Sequence, residues 1–162
     1  MSSQESDAVI REVRELFTPA ESVTDVLPRV LALVLERFDC AVGTIHRLDA
    51  TSGRLELLVH RGIPDTILDR VRSIPVGKGI AGLAAERRAP VQVCNLQTDD
   101  SGVAEPDARD TKMEGSIAVP MLVNGELKGT FGVGKPVAYD FDENEADLLL
   151  QIATTIGEHL AE

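Results

Sequence analysis

Cysteine is scarce in this chain, and long apolar runs are missing from it. The two cysteines, Cys40 and Cys94, do not make a disulfide framework or a zinc site of recognisable spacing. We expect each to be a small buried apolar residue, as free cysteines usually are. No apolar run approaches the roughly 20 residues that cross a bilayer, and internal repeats and low-complexity segments are absent.

Basic residues are also few, since 16 lysines and arginines stand against 27 acidic residues and give a net charge of −11. This charge repels a phosphate backbone, so we expect neither nucleic acid nor a membrane as a direct partner. Residues 1–7 have neither the basic start nor the apolar run of a signal peptide. We therefore expect a soluble, cytoplasmic protein.

The length of 162 residues and the apolar fraction of 43% are ordinary for one globular domain. Residues 1–21 are interpreted as a tail with an amphipathic helix, because 8–17 place apolar side chains at helical spacing. Residues 22–162 are interpreted as a single domain. It opens with a capping-box pattern at 22–25, which predicts a helix that ends near Phe38.

Alternating apolar residues then predict an antiparallel sheet. Strands are predicted at 41–48, 54–61, 91–94, 116–123 and 126–133, with a helical turn at 65–71. Asn124-Gly125 is the strongest short hairpin signal in the chain. Counting outward from it pairs Leu122 with Leu127, Pro120 with Gly129 and Ala118 with Phe131. A final helix is predicted from Glu143 to about Ala161.

Two segments between these elements suggest a binding site. Residues 74–85, IPVGKGIAGLAA, end an extended segment and begin a thin helix that can lie close to another surface. Such a segment can form the wall of a pocket, or it can be a close packing contact without a ligand. Gly77-Lys78-Gly79 is not a phosphate loop, because that pattern continues with Ser or Thr after the lysine. Residues 95–114 form a long polar connection, which we expect to cover a ligand.

Four segments in this order resemble a GAF domain: VGKGIAG at 76–82, PVQV at 90–93, SIAVPMLVNGELKG at 116–129 and FDE at 141–143. The resemblance covers roughly residues 22–160 and is closest to GAF domains of bacterial regulators and sensor kinases. It implies an α+β fold with a central antiparallel β-sheet. The N- and C-terminal helices lie on one face, and a short helix plus the long loop enclose a ligand cavity on the other.

The resemblance also implies a function in signal transduction or transcriptional control. We predict a sensory or regulatory domain that binds an unidentified small metabolite non-covalently, without catalytic or metal-binding residues. A homodimer through the terminal helices is expected, together with an output domain that is separate or truncated. The ligand-binding residues implied by position are Thr44, His46, Val76, Lys78, Gly79, Ile80, Val93, Asn95, Lys112, Ser116, Thr130 and Gly132. Lys78 and Lys112 are available to an anionic ligand.

Two alternative functions remain open. A few GAF proteins reduce free methionine-R-sulfoxide with a nucleophilic and a resolving cysteine, and Cys94 is the candidate nucleophile here. That branch of the family, however, carries a cysteine where Ile80 stands. A dimerisation module without a ligand would use the terminal helices alone.

Other family ligands fit the residues less well. Cyclic-nucleotide binders carry Asn-Lys, then Phe, three residues and Asp-Glu, of which this chain keeps Lys135 and Phe141 but breaks the rest. Bilin binders need a cysteine next to a histidine, and Cys94 precedes Asn95, so no covalent chromophore is expected. A metal would have to use His46, His60, Asp99, Asp100, Asp107 and Asp110.

Overall fold

The computed structural model describes residues 2–160, apart from the side chain of Asp107. Its helices are α1 (Ser3–Leu16), α2 (Val23–Phe38), α3 (Asp65–Val71), α4 (Gly79–Arg87) and α5 (Glu143–Leu160), with a 3₁₀ helix at Pro106–Thr111. Its strands are β1 (Val42–Asp49), β2 (Arg54–Arg61), β3 (Ser73–Pro75), β4 (Val91–Val93), β5 (Gly115–Val123) and β6 (Glu126–Lys135). Ala161, the predicted end of the last helix, lies outside the described residues.

The six strands form one antiparallel sheet in the order β3-β2-β1-β6-β5-β4. Helices α1, α2 and α5 pack on one face, and α4 with residues 95–114 lies on the other. The predicted α+β fold class is confirmed. None of the helices within residues 2–160 is long and apolar enough to span a membrane.

The core lies between the sheet and the three long helices. Leu31 of α2, Phe131 of β6 and Ile152 of α5 are almost completely buried there. Helix α1 joins the same core through Val9 and Val13. Because three helices share one apolar layer, this face of the sheet supplies most of the buried apolar area that stabilises the fold.

The start of α1 and the cap of α2 differ from the prediction. Helix α1 begins at Ser3 and not at residue 8, because the Ser2 hydroxyl accepts a hydrogen bond from the Glu5 amide at 3.1 Å. Helix α2 begins at Val23 as predicted, but the capping box does not form. The Ser22 side chain makes no capping bond and lies 3.4 Å from the Thr24 hydroxyl.

The predicted pairing of β5 with β6 is right only beside the turn, where Leu122 pairs with Leu127. A bulge between Met121 and Leu122 shifts every later pair by one residue. The observed pairs are Met121 with Gly129, Pro120 with Thr130, Val119 with Phe131 and Ala118 with Gly132. The predicted pairs Pro120–Gly129 and Ala118–Phe131 are wrong, because counting from the turn assumed an unbroken ladder.

The two cysteines lie in different surroundings. Cys40 follows α2 and is half-buried, and burial raises the pKa of its thiol to about 11. Cys94 is exposed, which contradicts the expectation that it is buried. It directly follows β4, where Val91 and Val93 point into the protein and Gln92 points out, so alternation places Cys94 outward as well.

Candidate functional site

A cavity of about 290 Å³ lies between α3, β3, the start of α4 and the 3₁₀ helix. We call it the outer compartment. Its wall is largely apolar, with Ile67, Val71 and Ile74 among the lining residues. Three charged side chains, Arg70, Lys78 and Glu105, also line it, and all three are exposed to solvent. The compartment can therefore hold an apolar group beside a charged one.

A second cavity of about 130 Å³, which we call the inner compartment, lies between α4 and the sheet. Thr44 of β1, Ser116 and Ala118 of β5, and Gly132 of β6 lie along its sheet side. Four residues line both compartments: Ile80, Ala81, Ala108 and Thr111. The two compartments are thus neighbours, separated by the first turn of α4 and by the 3₁₀ helix.

The segment 74–85 folds back on itself to form one wall. The Gly77 amide donates to the Gly82 carbonyl at 2.8 Å, and Gly77 has a φ of +98° that favours glycine. A Cβ on Gly82 would lie 2.6 Å from the Pro75 carbonyl oxygen. The segment is therefore both a packing contact and a pocket wall, the two interpretations that its sequence allowed. The close packing of the turn on α4 creates the cavity wall.

The long connection 95–114 covers the cavities as an ordered segment. The Leu96 amide donates to the Glu114 carbonyl at 2.7 Å, and the Asn95 side chain donates to the Glu114 carboxylate at 3.1 Å. The Arg109 side chain donates to the Asp99 carbonyl at 2.7 Å. These bonds hold the 3₁₀ helix, and with it Ala108, over the compartments.

The structure brings six of the twelve predicted ligand-binding residues to the cavities. Thr44, Ser116 and Gly132 line the inner compartment, Lys78 and Gly79 line the outer one, and Ile80 lines both. The other six lie outside both linings: His46, Val76, Val93, Asn95, Lys112 and Thr130. The ligand-binding role of all twelve stays a prediction.

The six outlying residues have identifiable surroundings. His46 and Thr130 pair across β1 and β6 and are each 1% exposed. Val93 is buried in β4, and Asn95 is bound to Glu114. Val76 and Lys112 point outward, Val76 in the tight turn and Lys112 at the end of the 3₁₀ helix.

Sequence reasoning missed the contribution of α3. Residues 65–71 were predicted as a helical turn, and α3 has these bounds, but nothing placed it at the cavity. Ile67, Arg70 and Val71 all line the outer compartment. The signal was present in part, because Ile67 and Val71 are apolar at helical spacing and must pack on something.

His46 connects β1 with α3. Its Nε2 lies 2.7 Å from the carbonyl oxygen of Val71, the last residue of α3, and its buried Nδ1 has no hydrogen-bond partner among the described residues. Burial lowers the pKa of His46 below its usual 6.5, against smaller opposing effects of the Val71 carbonyl and Glu56. The neutral ring thus holds one wall of the outer compartment against the sheet.

This histidine makes stability depend on pH. Because the unfolded chain binds a proton more readily than the folded one, the free energy of unfolding falls as pH drops below 6.5 through the lowered pKa. Urea unfolding from about pH 8 to about pH 5 measures this loss. His46→Gln, which keeps a side-chain donor, should flatten the slope. His159→Gln is the matched control and should keep it; equal slopes in both variants contradict the assignment.

His60 lies beside this site, paired with Thr44 across β2 and β1, and its buried Nδ1 also lacks a hydrogen-bond partner in the part of the chain that the structure describes. Both histidines therefore face the cavity side of the sheet. Within the described residues no group of three or more histidines, cysteines or acids is placed to hold a metal. The side chain of Asp107, one of the predicted oxygen ligands, lies outside the described part.

Lys135 and Phe141, the two positions that match the cyclic-nucleotide pattern, do not line the cavities. The Lys135 ammonium donates to the carbonyl oxygens of Phe38 and Asp39 at the end of α2, and stands 4.5 Å from the Tyr139 ring centre. Phe141 belongs to the core on the helix side. The Tyr139 hydroxyl donates to the Glu145 carboxylate, which raises the pKa of Tyr139 to about 12. These residues stabilise a helix end.

A family model for the GAF domain matches residues 20–161. This match covers most of the chain, which therefore belongs to the GAF domain family of sensory and regulatory domains. Protein YtsP of Bacillus subtilis (strain 168) is 26% identical over 110 residues, which cover 68% of this chain and 62% of YtsP. The chain thus spans less than two thirds of this curated relative.

Solved structures agree on the fold. The GAF domain of a phosphoenolpyruvate-protein phosphotransferase from Coxiella burnetii superposes with a TM-score of 0.83 at 18% identity, covering 99% of this chain and 95% of that one. Free methionine-R-sulfoxide reductase from Neisseria meningitidis, solved with its substrate, superposes with a TM-score of 0.79 at 19% identity, covering 99% and 93%. Similarity at this identity establishes the fold alone.

Proposed function

We propose that this chain is a sensory domain that binds a small metabolite non-covalently in the outer and inner compartments, and does not transform it. The observation that carries the proposal is the pair of adjoining cavities, enclosed by α3, α4 and an ordered 3₁₀ helix. Mostly apolar walls with a few polar groups are typical of small-molecule sites. A ligand that binds one conformation of the covering segment better than another shifts the population between them, which is a means of passing a signal onward.

A thiol-based reaction is less well supported. Cys94 is exposed after β4, and Cys40 is half-buried after α2 with the pKa of its thiol raised to about 11. Neither cysteine lines a compartment. Ile80, which stands where the reductase branch carries a cysteine, lies at the boundary between the two compartments. A nucleophilic thiol needs access to the substrate and a lowered pKa.

Native mass spectrometry of the purified protein, followed by thermal shift across a metabolite panel, tests the proposal. We expect a bound species or a shifted unfolding temperature for the wild-type chain. Ala108→Phe fills the boundary between the compartments and should abolish both signals. Ala138→Phe, the same change at an exposed position, should keep them. Equal binding by both variants contradicts binding in these cavities.

Free methionine-R-sulfoxide belongs in the panel together with a thiol reductant. We expect no thiol-dependent turnover. Turnover that disappears in Cys94→Ser would overturn the non-catalytic proposal in favour of the reductase. Binding without turnover would support the sensory function and identify a ligand.

A homodimer through α1 and α5, with a separate output partner, remains a proposal. Val9 and Val13 of α1, like Ile152 and Ile156 of α5, are buried inside the chain. A dimer contact on these helices would therefore use their polar sides, such as Arg11 and Arg14. Light scattering measures the mass directly, and a monomer at high concentration contradicts the dimer.

A further inference from the structure

Of the four residues at the boundary between the compartments, Ile80 is the one that can divide them. Ala81 and Ala108 are small, and the Thr111 hydroxyl donates to the Ala108 carbonyl at 2.7 Å. Ile80 is the bulky apolar side chain of the set, and it packs partly buried against the cluster of Ala84, Val91 and Ala118. Its size therefore determines how far the two compartments are separated at this boundary.

The two compartments differ in polarity. Charged side chains line the outer one, whereas no charged residue of the described chain lines the inner one. The inner volume of about 130 Å³ is close to that of the roughly 150 Å³ apolar cavity that accepts benzene. It has room for a short hydrocarbon chain, with the hydroxyls of Thr44 and Ser116 at its sheet side.

Lys78 is the cation that a ligand's charged end would meet. Arg70 lies 3.9 Å from the Asp110 carboxylate, so part of its charge is neutralised. Among the side chains that the structure describes, no acidic one lies within ion-pair distance of Lys78. A single unneutralised lysine suits a monoanion better than a doubly charged phosphate group.

Glu105, an acidic residue that would repel a carboxylate, also lines the outer compartment. Its Cγ lies 3.3 Å from where a Cβ on Gly79 would stand, so the side chain packs along the start of α4. The residue is exposed, and water screens its carboxylate. A ligand with an amine would pair with Glu105, which makes alkylamines the opposing case to test.

We propose that the ligand is an amphipathic monocarboxylate, with its carboxylate near Lys78 in the outer compartment and its hydrocarbon end past Ile80 in the inner one. Ile80 then determines the length and width of the tail that the site accepts. This inference rests on the proposed function of the same cavities, whose ligand class it names.

The test of the tail uses calorimetric titration with saturated straight-chain monocarboxylates of about four to about ten carbons. Each added methylene should tighten binding about fourfold until the inner compartment is full. Ile80→Ala should move this limit to longer chains, and Ile80→Phe to shorter ones. Ile74→Ala is the matched control, since it removes the same atoms from a residue that lines the outer compartment alone.

The head group is tested with primary amides and alkylamines of the same chain lengths. Carboxylates should bind at least tenfold more tightly than amides, and Lys78→Met should remove this preference. Amines or amides that bind as tightly as carboxylates overturn the inference. A tail limit that neither Ile80 variant moves overturns it too, and if Ile80→Ala does not fold, Ile80→Phe alone decides.

The failures of the two proposals can be told apart. A metabolite retained in native mass spectrometry, with no binding of any carboxylate, overturns the ligand class and leaves the sensory function standing. No retained metabolite, no thermal shift and no binding of any probe overturn both.

Discussion

Replacing Gly82 by alanine is expected to lower the free energy of unfolding by about 2 kcal/mol and to abolish the ligand binding proposed for the two compartments. A Cβ at this position would lie 2.6 Å from the Pro75 carbonyl oxygen and 3.2 Å from the Gly77 nitrogen. Both are backbone atoms, so the turn must move away from α4 and open the cavity wall. The better helix propensity of alanine offsets only about 1 kcal/mol of this cost.

Gly132→Ala is the matched control for Gly82→Ala. It adds the same methyl group to another glycine of the cavity region, where its contacts begin at 3.4 Å, an ordinary separation. We expect a change in unfolding free energy below about 1 kcal/mol. Urea unfolding compares the two variants, and a loss below about 1 kcal/mol for Gly82→Ala as well would show that α4 tolerates a side chain at Gly82.

Lys135→Met is expected to lower the free energy of unfolding by about 3 kcal/mol. The Lys135 ammonium is the donor to two carbonyl oxygens, those of Phe38 and Asp39, where α2 ends. Methionine fills a similar volume but leaves both oxygens without this donor, and it removes the charge that faces the helix end and the Tyr139 ring.

Lys128→Met on the same strand provides the comparison for Lys135. Lys128 forms a 3.2 Å ion pair with Glu126 near the hairpin turn, and such pairs contribute little, so we expect less than about 1 kcal/mol. A second readout is the Cys40 thiol in a Cys94→Ser background. Burial raises the pKa of the Cys40 thiol, and the Lys135 ammonium partly opposes this rise, so Lys135→Met should slow its alkylation.

Local patterns predicted the elements well. The bounds of β2 and α3 agree with those expected for 54–61 and 65–71, and the hairpin at Asn124-Gly125 forms. Alternation, helical spacing and turn chemistry are properties of neighbouring residues, so they can be read from the sequence. The bulge beside Met121 is not such a property, because it depends on how β6 fits against β1 and the helices.

The predicted residues that line the cavities all belong to alternating strands or to the segment 74–85. Thr44, Gly132 and Ile80 are examples. The position of α3 over the cavity depends on contacts distant in sequence, such as His46 with Val71. No local pattern encodes that pairing, and this explains why residues of α3 and the 3₁₀ helix were missed.

The alternation of β6 has a consequence for how this chain can evolve. Phe131 points into the core under α2 and α5, while its neighbour Gly132 lines the inner compartment. If the proposed ligand binds there, selection on the ligand and selection on stability act largely on different residues of the same strands, with Ile117 and Val133 common to both sets. A descendant can then change the ligand by substitution at positions such as Gly132, and keep the core that folds it.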